Sequence, residues 1–120
     1  MDLIEIKNLL VRGIVGINPE ERVKKQDVLV NVVMAGDTAI AAASDNIDDS
    51  INYRTVSKAI IAHIENGEPM LVERLAEELA DLVLETDKRV EWVRIGVEKP
   101  GALRYAESVG ITIERSRAIS

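Results

Sequence analysis

The apolar residues of this chain change their period twice, and that alone restricts the fold more than any other feature. "DLIEIKNLLVRGIVG" opens with alternation, Ile4 and Ile6 on one side and Glu5 and Lys7 on the other, as in a strand with one buried face. "QDVLVNVVMA" repeats it, with Val28, Val30, Val32 and Met34 facing one way and Asn31 the other. The period then lengthens. Val56, Ile60 and Ile64 predict a helix over about 52–66, capped by Ser50 or Asn52 and stopped by Gly67. "PMLVERLAEELADLVLET", residues 69–86, carries Leu71, Leu75, Leu79 and Leu82, with Val72, Ala76 and Val83, as one broad helical stripe. Alternation returns in "VEWVRIGVEK", through Val93, Ile95 and Val97, and in "SVGITIE", through Val109, Ile111 and Ile113.

The order is therefore β-β-α-α-β-β. The first two strands are separated only by "INPEERVKK", a polar, proline-containing break, so they are expected to pair antiparallel. "GDTAIAAASDNIDDS" is a connection with a short helical turn around Ala41. Two helices covering one face of a four-stranded antiparallel sheet give a two-layer α+β domain. Such a sheet has two open edges, and Leu29 and Val33 lie on the face away from the helices. Open edges are normally paired or covered, so closure into a ring of subunits is expected.

Length and composition narrow the function. The 120 residues, 47% hydrophobic and 30% charged, suit one globular domain spanning 1–120. A net charge of -6 argues against a nucleic-acid backbone as main partner, while a small anion held by a few local cations stays open. With no cysteine, disulfides and thiolate metal sites are absent and a reducing compartment fits. The opening "MDLIEIKNLL" lacks a basic segment followed by a long apolar one, and no apolar run approaches the roughly 18 residues of a membrane span. A cytoplasmic protein is the expectation. One histidine and no cysteine leave little for zinc. "DNIDD" does not fit a calcium loop, because Ile47 takes a ligand position and the required glycine is missing.

Five residues stand out. Lys99 shares strand parity with Val93, Ile95 and Val97, so it projects from the apolar face just before Pro100. It is either a strand-end lysine snorkelling to water or a partly desolvated amine suited to proton transfer. Tyr53 begins the first long helix on the side of Val56 and Ile60. In a chain with no Phe it is one of few residues able to stack on a flat ligand. Glu73 sits in the first turn of the second helix, at the rim of the apolar stripe beside Ala76 and Ala80. The helix dipole alone favours a carboxylate there, though Glu77 is a like charge one turn on. Glu21, in "NPEERVKKQ", reads locally as a solvated loop acid. His63, the only histidine, lies beside an apolar stripe and reads as structural.

Read together, these positions resemble the dihydroneopterin aldolase family of folate biosynthesis, including its relative dihydroneopterin triphosphate epimerase. The matching stretches run nearly end to end: "GI" at Gly16, then "EERVKKQDVLVNV", "DNIDDSINYRTVSKAI", "LVERLAEELA", "VEKPGA" and "VGITIER". The resemblance implies the tunnelling fold, in which four subunits close a barrel and two rings commonly stack into an octamer, with active sites between subunits. It also implies a pterin substrate and no cofactor or metal. Other pterin enzymes of that fold hold zinc through three histidines, or through cysteine and histidine, which this chain lacks.

Carried over residue by residue, the pterin-anchoring Glu falls on Glu73 and the backbone contact before it on Val72. The stacking Tyr falls on Tyr53, the first-loop Glu on Glu21, and the general acid/base Lys on Lys99. A carboxylate at Glu73 can accept both donors of a pterin ring edge, an amide N–H beside an exocyclic amine. "LVERLAEELA", "VEKPGA" and "VGITIER" favour the aldolase, which releases glycolaldehyde and 6-hydroxymethyl-7,8-dihydropterin from 7,8-dihydroneopterin. "NYRTVSKAIIAHIEN" and "ALRYAESV" look more like the triphosphate epimerases, for which Arg22, Lys24, Lys25 or Arg104 would supply cations. A non-catalytic pterin-binding ring is a third reading, marked by loss of the Lys or the anchoring Glu, and both are present.

Overall fold

The computed structural model describes residues 1–117; residues 118–120 of the expected 1–120 domain lie outside them. Four strands, β1 (Asp2–Gly13), β2 (Gln26–Gly36), β3 (Trp92–Pro100) and β4 (Ser108–Ser116), form one antiparallel sheet in the order β1-β2-β3-β4. The helices are α1 (Pro19–Val23), α2 (Ala39–Ser44), α3 (Tyr53–Asn66) and α4 (Val72–Thr86), with a 3-10 turn at Ile47–Asp49. The two long helices are those the sequence predicts.

Strand parity decides the core. Val28, Val30, Val32 and Met34 of β2 and Val93, Ile95 and Val97 of β3 are fully buried, and registers such as Val30↔Val97 and Val32↔Ile95 put them on one face. Val56, Ile60 and Ile64 of α3 and Leu75, Ala76, Leu79, Ala80 and Val83 of α4 pack onto that face. Each Val, Leu, Ile or Met side chain among them contributes about 1.5–3 kcal/mol by leaving water, so this layer fixes which way the helices turn. β1 and β4 are the outer strands, and Ile111 and Ile113 are only partly covered.

β1 keeps its phase only as far as Ile6. The pairing slips between Ile6 and Leu9, with Asn8 at φ 55 and its N–H bonded to Asn31 Oδ1 at 2.8 Å. Asparagine tolerates positive φ better than most residues. The extra residue is a bulge that turns Leu9 and Val11 inward after Ile4 and Ile6.

Two expectations need correction. The break after β1 contains a helix, α1, with Pro19 at its start where a missing N–H costs nothing. Leu71 was expected in the buried stripe, but it is the residue before α4 and is 51% exposed. The predicted caps hold better: the Asn52 side chain accepts from the Thr55 N–H at 3.2 Å, and Gly67 follows the last turn of α3.

Candidate active site

The site starts from a glycine. Gly16 has φ +140, and a Cβ there would lie 2.2 Å from Glu21 Cδ, so only the missing side chain leaves room for the Glu21 carboxylate. Glu21 belongs to α1 and folds back over Gly16. Its Oε1 accepts from the Asn18 N–H at 3.3 Å, and its Oε2 accepts from Gln26 Nε2 at 3.2 Å. The same amide donates to the Val15 carbonyl at 2.6 Å, which keeps both groups in place.

Lys99 completes the arrangement. Its Nζ donates to Glu21 Oε2 at 2.9 Å, and the two side chains are 15% and 21% exposed. Lys99 does project from the apolar face of β3, as its parity predicts. It is neither a lysine in open water nor an isolated amine, because a carboxylate meets it. The bond from Lys99, then that from Gln26, hold the Glu21 carboxyl below its usual range; desolvation pulls the other way, and the Asn18 N–H assists.

Arg22 ties this corner to the helices. Its guanidinium donates to the carbonyls of Gly16 at 3.1 Å, Pro69 at 3.1 Å and Glu68 at 2.8 Å, and the Gly16 N–H donates to the Pro69 carbonyl at 3.3 Å. The α3–α4 connection, and with it the start of α4, is thereby fixed beside the Glu21–Lys99 pair. Val72 is the first residue of α4 and is half-buried; Glu73 follows it and is exposed. Leu71 offers no side-chain oxygen to the opening N–H groups of α4, so a carboxylate at Glu73 sits where the backbone field is positive.

Tyr53 is elsewhere. It is 57% exposed and lines a groove of about 370 Å³ with Ile6, Arg54, Ser57 and Lys58. The Asn52 N–H beside it bonds Asp87 at 2.9 Å, where α4 ends. The length of α3, about 20 Å, thus separates Tyr53 from the connection that Arg22 clamps. One chain brings Glu21, Lys99, Val72 and Glu73 to one end and leaves Tyr53 at the other.

The remaining candidates sort themselves. His63 Nε2 lies 3.0 Å from Glu78 Oε1, and Arg74 Nε donates to Glu78 Oε2 at 2.9 Å, so His63 joins a network between the helices. Burial pulls the Glu78 carboxyl upward, but the bonds from Arg74 and His63 outweigh it and leave it lowered. Glu77, the like-charged neighbour of Glu73, pairs instead with Arg115 at 2.9 Å. The partnership of Glu21 with Gln26 and the clamp by Arg22 were missed in the sequence; "NPEE", with a cap residue, a proline and a Glu three places on, signalled the α1 turn that makes them.

The chain belongs to the dihydroneopterin aldolase (FolB) family, whose match covers residues 4–114. It is 43% identical to the dihydroneopterin triphosphate 2'-epimerase of Pseudomonas aeruginosa over 98% of this chain and 94% of that one. It is 37% identical to the dihydroneopterin aldolase of Escherichia coli K12 over 96% of this chain and 93% of that one. The solved structure of the E. coli aldolase in complex with neopterin superposes with a TM-score of 0.93 at 37% identity, over 97% of this chain and all of that one. Relatives with two activities thus share this fold and most of its length. No helix among the described residues is long and apolar enough to cross a membrane.

Proposed function

We propose that this chain is a dihydroneopterin aldolase, cleaving the side chain of 7,8-dihydroneopterin without a metal or a Schiff base. The observation that carries the reading is the Lys99–Glu21 pair, at 2.9 Å and mostly shielded from water, at the end of the domain where α4 begins. An amine held by one carboxylate in a part-buried corner suits a group that must take and return a proton.

The chemistry follows from the substrate. The N5=C6 imine of the pterin adjoins C1' and is itself the electron sink that other aldolases build from a lysine imine or a metal. Lys99, once its own extra proton has passed to Glu21 or to water, takes the 2'-hydroxyl proton with the help of Tyr53 and a water. The C1'–C2' bond then breaks, its electron pair moves into C1'=C6 and onto N5, and C2' leaves as the aldehyde carbon of glycolaldehyde. A proton delivered to C1', again through Lys99 or water, gives 6-hydroxymethyl-7,8-dihydropterin. Glu21 holds the side-chain hydroxyls and Lys99 together, while Glu73 and the Val72 backbone hold the ring edge. If the fragments rejoin on the opposite face before the aldehyde escapes, C2' inverts. That route is the second reading, a triphosphate 2'-epimerase, favoured by the 43% identity to the Pseudomonas epimerase.

In this proposal the active site lies between subunits. Tyr53 of one chain stands at the far end of α3 from its own Lys99, so Tyr53 of the partner subunit completes the cavity. The exposed outer strands β1 and β4 close four subunits into the barrel of the tunnelling fold, as a ring or as two stacked rings.

The test is product analysis. The purified protein is incubated separately with 7,8-dihydroneopterin and its 3'-triphosphate, and the products are resolved by chromatography. Glycolaldehyde with 6-hydroxymethyl-7,8-dihydropterin supports the aldolase, and inversion at C2' without cleavage supports the epimerase. Turnover of neither overturns both and leaves the binding-only ring.

A further inference from the structure

One buried charge is left over by the chemistry proposed above. Asp87 is 8% exposed and is the only polar or charged residue buried among the described residues. It stands at the C-terminal end of α4, where the helix field is negative and a carboxylate is disfavoured. Burial adds a second cost, because a charge taken out of water must be fully bonded.

Backbone from two other segments offsets both costs. Asp87 Oδ2 accepts from the Asn52 N–H at 2.9 Å, and its Oδ1 accepts from the Arg89 N–H at 2.9 Å. Asn52 caps α3, so the positive end of that helix meets the negative end of α4 through this one carboxylate. The loop that carries Asp87 is itself fixed. Arg117 donates to the carbonyls of Leu84 at 2.9 Å, Asp87 at 3.2 Å and Val90 at 2.6 Å, and Arg89 donates to the Asp48 carbonyl. The end of β2 packs against the same corner: a Cβ at Gly36 would lie 2.7 Å from the Arg89 carbonyl oxygen and 2.9 Å from Ile51 Cδ1.

Tyr53 follows Asn52 directly. Its side chain is 57% exposed, so the core does little to place the ring and the flanking backbone must. On the helix side, the Val56 N–H bonds the Asn52 carbonyl at 3.2 Å, and Val56 is buried. On the other side, the Asn52 N–H has Asp87. Asp87 therefore ties the residue before the tyrosine to a fixed point outside α3. The length of α4, about 20 Å, separates it from Val72 and Glu73, and so from the Glu21–Lys99 corner of its own chain.

We infer that Asp87 is a positioning residue for Tyr53 and serves the active site of the neighbouring subunit rather than that of its own chain. The inference rests on the intersubunit reading above and adds the residue that sets where the donated tyrosine stands. A carboxylate suits the task because both its oxygens accept. Asp87→Asn turns a side-chain donor toward one of the two N–H groups, and Asp87→Ala leaves both unmet.

The experiment measures pterin turnover in Asp87→Asn and Asp87→Ala, alone and coassembled with Tyr53→Ala or Lys99→Ala. Expected is a kcat/KM about tenfold lower in Asp87→Asn, the scale of one lost charge-assisted bond, and lower again in Asp87→Ala, in assemblies of wild-type size. Mixed with Lys99→Ala, either variant should recover toward about a quarter of wild type, because some sites take Lys99 from one chain and a well-placed Tyr53 from the other. Mixed with Tyr53→Ala, neither should gain over the proteins kept apart, since every donated tyrosine is then missing or misplaced. Amide hydrogen exchange reads the link without turnover: residues 51–55 should exchange about tenfold faster in Asp87→Asn, with residues 60–66 unchanged.

Wild-type turnover in both variants, unaltered exchange at 51–55, or no recovery with Lys99→Ala while Tyr53→Ala and Lys99→Ala complement each other would overturn the inference. Failure of the intersubunit reading looks different: Tyr53→Ala and Lys99→Ala then do not complement each other, which ends the action across subunits whatever Asp87 does. Should the wild type turn over neither pterin, exchange alone decides whether Asp87 holds Tyr53.

Discussion

Lys99 and Glu21 stand 78 residues apart in the chain and 2.9 Å apart in the fold. Neither residue announces the other. Lys99 is delivered by strand parity at the end of β3, and Glu21 by a one-and-a-half-turn helix whose side chain folds back over a glycine. Their meeting puts a cation and an anion in a corner with little water, where each sets the position of the other.

Lys99→Ala should slow turnover of dihydroneopterin by about 100-fold or more, the scale of losing a general acid/base. Pterin affinity should stay within about threefold of wild type, because in the proposed arrangement Glu73 and the Val72 backbone, not Lys99, hold the ring edge. Single-turnover kinetics with fluorescence binding separate the two, and wild-type turnover in the variant would remove Lys99 from the mechanism.

The Glu21 carboxyl is held low, chiefly by Lys99 and then by Gln26. A carboxyl whose folded value lies below its unfolded value, about 4.3, adds stability above that value and loses it as pH falls through the folded one. Glu21→Gln carries no such term. The stability advantage of wild type over Glu21→Gln should therefore be flat near neutrality and shrink below about pH 4.3, as measured by urea midpoints across a pH series. An advantage that grew on acidification would contradict the ion pair.

Gly16→Ala tests the space that Glu21 occupies. The glycine's φ of +140 is unfavourable for any side chain, and the added methyl lies where the Glu21 carboxylate now sits. The backbone strain should cost about 1–3 kcal/mol. The carboxylate can swing aside, so the protein should still fold while losing much of its activity. Thermal melts and steady-state kinetics read the two effects.

How much of this was legible follows the range of each interaction. Val30, Val32, Ile95 and Val97 carry their burial in a period of two, so the sheet and its partner helices could be read directly. The α1 helix buries no residue, and periodicity had nothing to register; only its cap chemistry marked it. Tyr53 shares a helical face with Val56, yet as the first residue of α3 it projects beyond the core and stays exposed. The clamp by Arg22 joins residues 46 and 47 places away, and no local pattern encodes which distant carbonyls an arginine will find. Strand parity singled out Lys99 and the family resemblance gave Glu21 its role, but as separate residues. Their bond is a property of the fold.

That clamp makes a prediction of its own. Arg22→Met keeps much of the side chain's bulk but removes its donors to Gly16, Glu68 and Pro69, and should destabilise the protein by about 1.5–3 kcal/mol. Freed from the Glu21 corner, the start of α4 can shift against it, so a substrate touching both ends is held less well. KM for dihydroneopterin should rise more than kcat falls, with partial recovery in Arg22→Lys. A loss of stability with unchanged KM would make the clamp structural only.

The separation of Tyr53 from Lys99 along α3 yields the sharpest test of the assembly. If each site draws Tyr53 from a neighbouring chain, the Tyr53→Ala and Lys99→Ala proteins are each impaired, yet their mixture contains some sites with both residues intact. Co-expression, or unfolding and refolding the two variants together, should restore activity well above the sum of the separate proteins, toward about a quarter of wild type for random pairing in a ring. Size-exclusion chromatography with light scattering should find the active species larger than one chain. A mixture no more active than its components, with each variant properly assembled, would place the whole site within one subunit and require Tyr53 to act outside it.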